Sequence, residues 1–426
     1  MKPEIKQRIE QIKNRQVPHG YKKTKIGIVP SEWEENRLKN YFSKLSRKNT
    51  ENNTNVLTIS AHYGLINQNE FFNKEVASVD KSNYYLLKKG EFAYNKSYSN
   101  GYPYGAIKKL KFYENGVVSP LYICFCANEI NKCPEYFEYY FESGRLNKEI
   151  KAFAQEGARN HGLLNISVSD FFNSSIVIPS LPEQWKIVKI LSTQDKVIEL
   201  KERLLEEKKK QKKYLMQNLL TGKIKLKGFT CGWKKVNLSE ITSLRGGYAF
   251  KSEYFIEKGV PVIKISNILD NGIIGGNFSY YQEQLNDIQF LLPNNAILLA
   301  MSGATTGKVA ILRNFENKKI YQNQRVGYFK DLAKVNYNFL SFVIKSQLFS
   351  LKIKNIIASG AQPNISSKDI DRFVFYIPKD KDEQKEIAKI LLTADKEIEL
   401  LQKQLEQEKQ KKKALMQLLL TGIVRV

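Results

Sequence analysis

Gly303-Ala304-Thr305-Thr306-Gly307-Lys308 comes near to a phosphate-binding loop and fails on spacing. Such a loop keeps four residues between its glycines to aim backbone N–H groups at phosphate oxygens, and a Ser or Thr after the lysine to hold magnesium. Here three residues separate the glycines and Val309 follows the lysine. No two of the 24 glycines stand two apart, so no G-x-G turn exists for a dinucleotide or S-adenosylmethionine. No Pro-Pro dipeptide is present to build an Asn-Pro-Pro-Tyr methylation motif, and none of the 12 prolines precedes Asp, which removes the Pro-Asp…Glu-x-Lys nuclease signature. His19, His62 and His161, with Cys124, Cys126, Cys133 and Cys231, show neither Cys-x-x-Cys nor His-x-x-x-His spacing, so neither a zinc pattern nor a disulfide framework is expected, and the compartment should be reducing. Asp380 and Asp382 read as helix-capping residues rather than as an acid and a base. No catalytic residue and no metal ligand is assigned.

Several loop-like stretches instead mix cations, amides, glycine and aromatics, the combination suited to phosphates and base edges. In the first half of the chain they are Tyr94 to Gly105, with Lys96, Tyr98, Asn100, Tyr102 and Tyr104, and Gln155 to Gly162, with Arg159, Asn160 and His161. In the second half they are Arg245 to Lys251, with Arg245, Tyr248 and Lys251; Ser302 to Lys308, with Thr305, Thr306 and Lys308; and Tyr321 to Arg325, with Asn323, Gln324 and Arg325. Gln362 is added to this set. Tyr and Asn clusters also make ordinary turns. The net charge of +25 over 426 residues, with 12% aromatic residues, favours a polyanionic partner and these residues as a DNA-binding set.

The elements that must position these loops emerge from a repeat. Residues 183–222 align with 383–422 without a gap, and twenty-four of the forty positions are identical. Upstream only fragments correspond: Asn165-Ile166-Ser167 with Asn364-Ile365-Ser366, Ile178-Pro179 with Ile377-Pro378, Trp33 with Trp233 and Leu38 with Leu238. The copied segments read as long helices opened by capping boxes at Ser180-x-x-Glu183 and Asp380-x-x-Glu383 and closed by Gly222 and Gly422. Ile187, Leu191, Ile198, Leu205, Leu215 and Leu219 of one, and Ile387, Leu391, Ile398, Leu405, Leu415 and Leu419 of the other, fall at coiled-coil spacing. Acidic residues lead each helix and lysines trail, which predicts an antiparallel pair related by a pseudo-two-fold axis. Lys208 to Lys213 and Lys409 to Lys413 read both as the solvated face of that coil and as a basic ridge able to neutralise phosphates.

The expected fold class is α+β, with domains at 1–20 (a short basic helix that closes against the end of the last helix), 21–180, 181–228 (central helix), 229–380 and 381–426 (C-terminal helix). Each variable block is expected to mix strands at Leu57 to Ile59, Gly116 to Phe125, Val260 to Ile265, Ala296 to Met301 and Phe373 to Ile377 with one aromatic helix apiece, Pro134 to Phe153 and Asn336 to Ile357. The apolar runs are too short to cross a bilayer, so no membrane and a cytoplasmic location are expected.

The arrangement resembles the specificity subunit of type I restriction-modification systems, in which two target recognition domains alternate with two similar long helices. The resemblance is carried by Ile176-Val-Ile-Pro-Ser-Leu-Pro-Glu-Gln184, Leu215-Met-Gln-Asn-Leu-Leu-Thr-Gly222, Lys23-Thr-Lys-Ile-Gly-Ile-Val-Pro30 with Trp33, and Gly303 to Lys308 with Asn323-Gln324. The copies depart from one another where Pro179 and Pro182 stand against Pro378 alone, with one extra residue before Glu383. The resemblance implies a non-catalytic reader of double-stranded DNA whose two recognition domains each bind one half of a split target, while the helices set the separation. It implies two modification subunits as partners, bringing S-adenosylmethionine, and restriction and motor subunits bringing ATP and magnesium, with no cofactor in this chain. Two other classes compete: a nucleic-acid-modifying enzyme with an unrecognised site, and a coiled-coil scaffold that binds DNA without regard to sequence.

Overall fold

Trp33 and Trp233 each open a two-stranded antiparallel ribbon that leads into a long helix, and the same construction occurs once in each of two compact units. The computed structural model describes residues 3–60, 63–72, 80–99, 101–156, 164–313, 318–359 and 364–426. One unit comprises Met1–Lys201 with Gln404–Val426, the other Glu202–Lys403. In the first, Glu34–Arg37 pairs with Ser175–Ile178; in the second, Trp233–Asn237 pairs with Val374–Pro378. Three residues further on begin the central helix, Leu181–Leu219, and the C-terminal helix, Lys381–Leu420.

Both helices end as their glycines require. Gly222 (φ +68°) and Gly422 (φ +72°) adopt the left-handed conformation, and the Ile224 and Val424 N–H groups donate back to the Asn218 and Leu418 carbonyls at 3.2 and 3.0 Å, which satisfies carbonyls that the helix end would leave open. At the openings Asp380 caps its helix as expected, its Oδ1 accepting the Asp382 N–H (2.8 Å), but the glutamates are used differently from the capping boxes expected. Glu183 and Glu383 turn to the tryptophans: Trp33 Nε1 donates to Glu183 Oε2 (3.1 Å) and Trp233 Nε1 to Glu383 Oε1 (3.2 Å). The following glutamine holds the ribbon, Gln184 Nε2 donating to the Pro179 carbonyl (2.9 Å) and Gln384 Nε2 to that of Pro378 (2.8 Å). The extra residue before Glu383 is absorbed in this reach, because both helices start two residues before the glutamate.

The same tryptophans receive a helix end. A Cβ on Gly422 would lie 3.2 Å from the Trp33 ring and 2.4 Å from Pro30 Cδ, and one on Gly222 would lie 3.3 Å from the Trp233 ring. Each tryptophan therefore clamps the head of one long helix to the tail of the other. The first clamp has additional support: Arg425 forks onto Glu183 (2.7 and 3.0 Å) and reaches Glu32 (2.7 Å). The N-terminal helix, Pro3–Lys13, closes on this tail as expected, with Arg8 donating to the Ile423 carbonyl (2.6 Å) and Tyr21 to that of Gly422 (2.6 Å).

Within each unit the two helix segments run antiparallel. In the first, Lys412 meets Asp195 at 2.5 Å and Gln194 donates to Glu408 at 2.8 Å; in the second, Lys208 meets Glu397 at 2.9 Å and Lys212 contacts Asp395. The Asp–Lys pairs use the same two copied positions with the helices exchanged. Of the seam residues, Ile187, Leu191 and Leu419 are buried in the first unit, and Leu205, Leu219, Ile387 and Leu391 in the second. Ile198, Leu405 and Leu415, and likewise Leu215 and Ile398, are half-buried. The buried ones near the helix ends face a third layer, the variable block, whose side chains share their core.

The two blocks have one architecture. The first has a four-stranded antiparallel sheet in the spatial order Phe42–Lys44, Ile123–Ala127, Phe92–Asn95, Ala106–Lys109. The second repeats it as Leu244–Arg245, Val326–Phe329, Ile297–Ala300, Val309–Ile311. The first core is aromatic, with Phe92 stacked on Phe125 (5.3 Å) and Phe42 edge-on to Phe137 (5.0 Å); the second packs Ile297, Leu299, Leu340, Val343 and Ile370 around Phe329 and Phe349. The expected single aromatic helix is two in each block, Pro134–Glu142 with Asn147–Phe153 and Tyr337–Lys345 with Gln347–Ser359. Gly144 (φ +74°) turns the first pair. Ser346 breaks the second, its hydroxyl donating to the Val343 carbonyl and accepting from the Phe349 N–H. The run Gly116 to Phe125 is likewise two strands, Asn115–Val118 and Ile123–Ala127, separated by a turn at Pro120.

Trp33 is fully buried and Trp233 half-buried. Trp33→Phe removes a donor from a buried carboxylate and leaves a void, and should cost about 2–4 kcal/mol; Trp233→Phe should cost about half as much because solvent reaches its site. Urea unfolding of the two variants checks the order; equal losses would contradict the difference drawn between the clamps.

Candidate nucleic-acid interface

Strand Phe92–Asn95 is joined to Ala106–Lys109 by the loop Lys96–Gly105, and its equivalent Ile297–Ala300 is joined to Val309–Ile311 by Met301–Lys308. Two stretches picked out by composition are thus the same connection of the same sheet. The chain that follows the next variable segment returns to the start of this loop in both blocks: the Leu164 N–H donates to the Lys96 carbonyl (3.0 Å) and the Ile365 N–H to that of Met301 (2.9 Å).

In the first block the loop needs glycine at its close. Gly105 has φ +79°, and a Cβ there would lie 2.2 Å from the Asn95 carbonyl oxygen. Tyr102 is tied into the block: its hydroxyl donates to Glu142 (2.5 Å), which also takes Lys108 (2.5 Å), and the Lys108 ammonium sits 4.8 Å above its ring. Burial, reinforced by the Glu142 charge, pushes the Tyr102 phenol up. Tyr104 is half-buried and its carbonyl accepts from Tyr94 (2.6 Å). Lys96 is drawn inward, and burial pulls its ammonium down from the usual lysine range. Tyr98, 63% exposed, is the aromatic that this loop offers outward. Asn100, Arg159, Asn160 and His161 lie outside the described residues, as does Gln362 of the second block.

In the second block three stretches converge. The Met301 N–H donates to the Arg325 carbonyl (3.0 Å), and Tyr248 bridges Asn323 while its N–H donates to the Gln322 carbonyl (2.9 Å). A Cβ on Gly247 would lie 2.2 Å from the Asn323 carbonyl oxygen, so glycine is what lets the two stretches touch. Gly303 to Lys308 is a strand-to-strand turn with no helix after it to supply a phosphate-binding N-terminus. Lys308 pairs with Asp270 (2.7 Å), Thr306 donates to the Gly303 carbonyl (2.6 Å), and Thr305 Oγ1 is buried without a partner. Gln324, Arg325 and Lys251 are exposed, Asn323 is half-buried, and Tyr248 is 49% exposed with its ring 5.0 Å from both Phe250 and Phe290.

Arg245 has a bracing role. Its Nη2 donates to Gln322 Oε1 and to the Leu291 carbonyl (2.8 Å each), its guanidinium lies 5.0 Å above Tyr328, and burial lowers its pKa. Gln322, fully buried, completes the brace by donating to the Arg245 and Val326 carbonyls. Gln322 escaped sequence reasoning although it stands inside the stretch singled out, because nothing in composition separates a gripping amide from an exposed one. In the first unit the helix lysines Lys409, Lys412 and Lys413 line one cleft of about 380 Å³ with Gly101, Tyr102 and Gly105 of the loop, so this lysine row adjoins the loop. Among the described residues no cluster of His, Cys, Asp and Glu could hold a metal ion, and no helix is long and apolar enough to cross a membrane.

The family model of the type I restriction modification DNA specificity domain matches twice, at residues 30–210 and 231–410. The chain belongs to this family. Each match contains one variable block and the opening of one long helix. Among curated relatives it is similar to the type I restriction enzyme MjaVIII specificity subunit of Methanocaldococcus jannaschii, 31% identical over 68% of this chain and 70% of the relative. The putative MjaX specificity subunit of the same organism is 26% identical over 95% of this chain and 97% of its own. The fold is also that of the crystallised S subunit from M. genitalium, with a TM-score of 0.54 and 17% identity over 91% of this chain and 96% of that one. A chain from a structural study of type I complex assembly gives 0.58 and 16% over 93% and 99%.

Arg245→Ala strips partners from Gln322 and the Leu291 carbonyl and should destabilise by about 2–3 kcal/mol, whereas Tyr98→Ala should stay within about 0.5 kcal/mol and weaken duplex binding. Thermal unfolding and fluorescence anisotropy on each variant check this; an unmoved melting temperature for Arg245→Ala would contradict the bracing role.

Proposed function

We propose that this chain is the DNA-reading component of a type I restriction-modification complex, each block reading one half of a split double-stranded target. The observation that carries this reading is the pair of hairpin loops: one sheet order and one connection recur, with unlike residues on them. A shared scaffold presenting two different surfaces suits two different half-sites, since phosphate contacts position a protein while base contacts specify. Tyr98 in the first block, and Tyr248, Gln324, Arg325 and Lys251 in the second, are the exposed candidates for those contacts.

The helices carry the rest of the assignment. Their number of residues between the blocks sets the number of unread base pairs, and their outer faces receive two modification subunits. Trp185, Leu200, Leu204 and Leu400 support the second role, since these large apolar side chains are 45–57% exposed on the two helices. The chain itself is non-catalytic; S-adenosylmethionine belongs to the modification subunits, and ATP and magnesium to restriction and motor subunits, in the cytoplasm.

Exchanging residues 229–380 for the corresponding block of a relative, assembling the product with modification subunits and mapping methylated adenines should change one half of the recognised sequence and leave the other intact. A simultaneous change of both halves would overturn independent reading. Methyl transfer by the purified chain without its partners would overturn the non-catalytic assignment.

A further inference from the structure

The second unit holds a feature that base reading does not use. A cleft of about 1360 Å³ lies between its helix segments and its block, and seven cationic side chains line it against two carboxylates, Asp395 and Glu399. Lys209, Lys212 and Lys213 come from the central helix, Arg313 from just beyond the end of strand Val309–Ile311 and Lys345 from the last turn of Tyr337–Lys345. Lys212 is engaged by Asp395. No carboxylate among the described residues lies within 4.0 Å of the Lys345 ammonium or the Arg313 guanidinium.

Lys345 is the unusual member. It is half-buried, and the turn at Gly272 closes over it, since a Cβ there would come within 3.9 Å of its Nζ. Burial pulls its pKa down to about 8, with Arg313 and Lys212 pressing the same way and Asp395 opposing them. A partly desolvated cation without a close counter-ion is costly in an empty site and favourable in an occupied one, because an anion supplies the missing charge. The C-terminus of its own helix offers only partial compensation. In the first unit Glu142 and Tyr102 line the corresponding lysine row, and its cleft holds about 380 Å³, so the anion-accepting character belongs to the second.

We propose that this cleft is a phosphate-binding site, in which Lys345 and Arg313 take the oxygens of a phosphate group while Lys209 and Lys213 neutralise a neighbouring one. The ligand is a phosphate-bearing anion, supplied as a free polyphosphate or as the backbone of bound DNA. The second source rests on the DNA-reading assignment; the first is independent of it.

Pyridoxal 5′-phosphate tests the site on the full chain, because its phosphate should seat among the cations while its aldehyde meets the Lys345 amine. The amine nitrogen bonds the aldehyde carbon, water leaves, and borohydride reduces the C=N bond to a stable adduct located by peptide mapping. At pH 7.5 Lys345 should be labelled at least about ten-fold faster than exposed lysines such as Lys381, since its lowered pKa leaves more free amine. Arg313→Gln should slow that labelling several-fold without unfolding the chain, as Arg313 is exposed. Protection by inorganic tripolyphosphate identifies a site for small anions, and protection by duplex DNA alone identifies a backbone site. Labelling of Lys345 at the surface rate, or labelling that neither competitor slows, would overturn the proposal. Duplex binding measured separately by anisotropy shows whether the DNA-reading assignment fails with it or stands without it.

Discussion

When two like helices pack antiparallel, the head of each lies against the tail of the other, so a contact written once in the repeat is used twice. Asp195 with Lys412 and Asp395 with Lys212 are one such contact, and Trp33 with Glu183 and Gly422 against Trp233 with Glu383 and Gly222 is another. A change at one copied position disturbs one unit, and the same change in the other copy disturbs the second. This is the physical reason that the copied segments stay alike while the blocks between them diverge. A block has only to present the ribbon, the tryptophan and an apolar face to the helix ends; its sheet can be filled with aromatics in one case and aliphatics in the other.

The two clamps are not identical. Arg425 and the N-terminal helix strengthen the first. Trp33 is accordingly sealed and Trp233 half open.

Helix boundaries, antiparallel sense and the α+β class were legible because they rest on periodicity, glycine stops and charge order, all of which are local in sequence. The glutamates of the capping boxes were misread since Glu183 and Glu383 have better partners 150 residues away, and distance along the chain hides them. The breaks at Gly144 and Ser346 were missed because the aromatic and apolar content on either side dominates the pattern. Among the candidate DNA-binding residues composition picked out stretches that the fold places on equivalent connections of the two sheets but could not rank their side chains. Arg245 is held by a buried partner and Tyr102 by half-buried ones, whereas Tyr98, Gln324 and Arg325 face out. An arginine that braces and an arginine that faces solvent look alike until their neighbours are known.

The central claim is that copied residues serve exchanged roles in the two units. Double-mutant cycles among Asp195, Lys212, Asp395 and Lys412, read from unfolding free energies, test it directly. Both ion pairs are partly shielded, with side chains 22–39% exposed, so Asp195 with Lys412 and Asp395 with Lys212 should each show coupling of about 0.5–1 kcal/mol. Asp195 with Lys212, seventeen residues along one helix at ~1.5 Å each and so about 25 Å apart, should show none, and nor should Asp395 with Lys412. Coupling within one helix, or coupling in one exchanged pair and not in the other, would contradict the account.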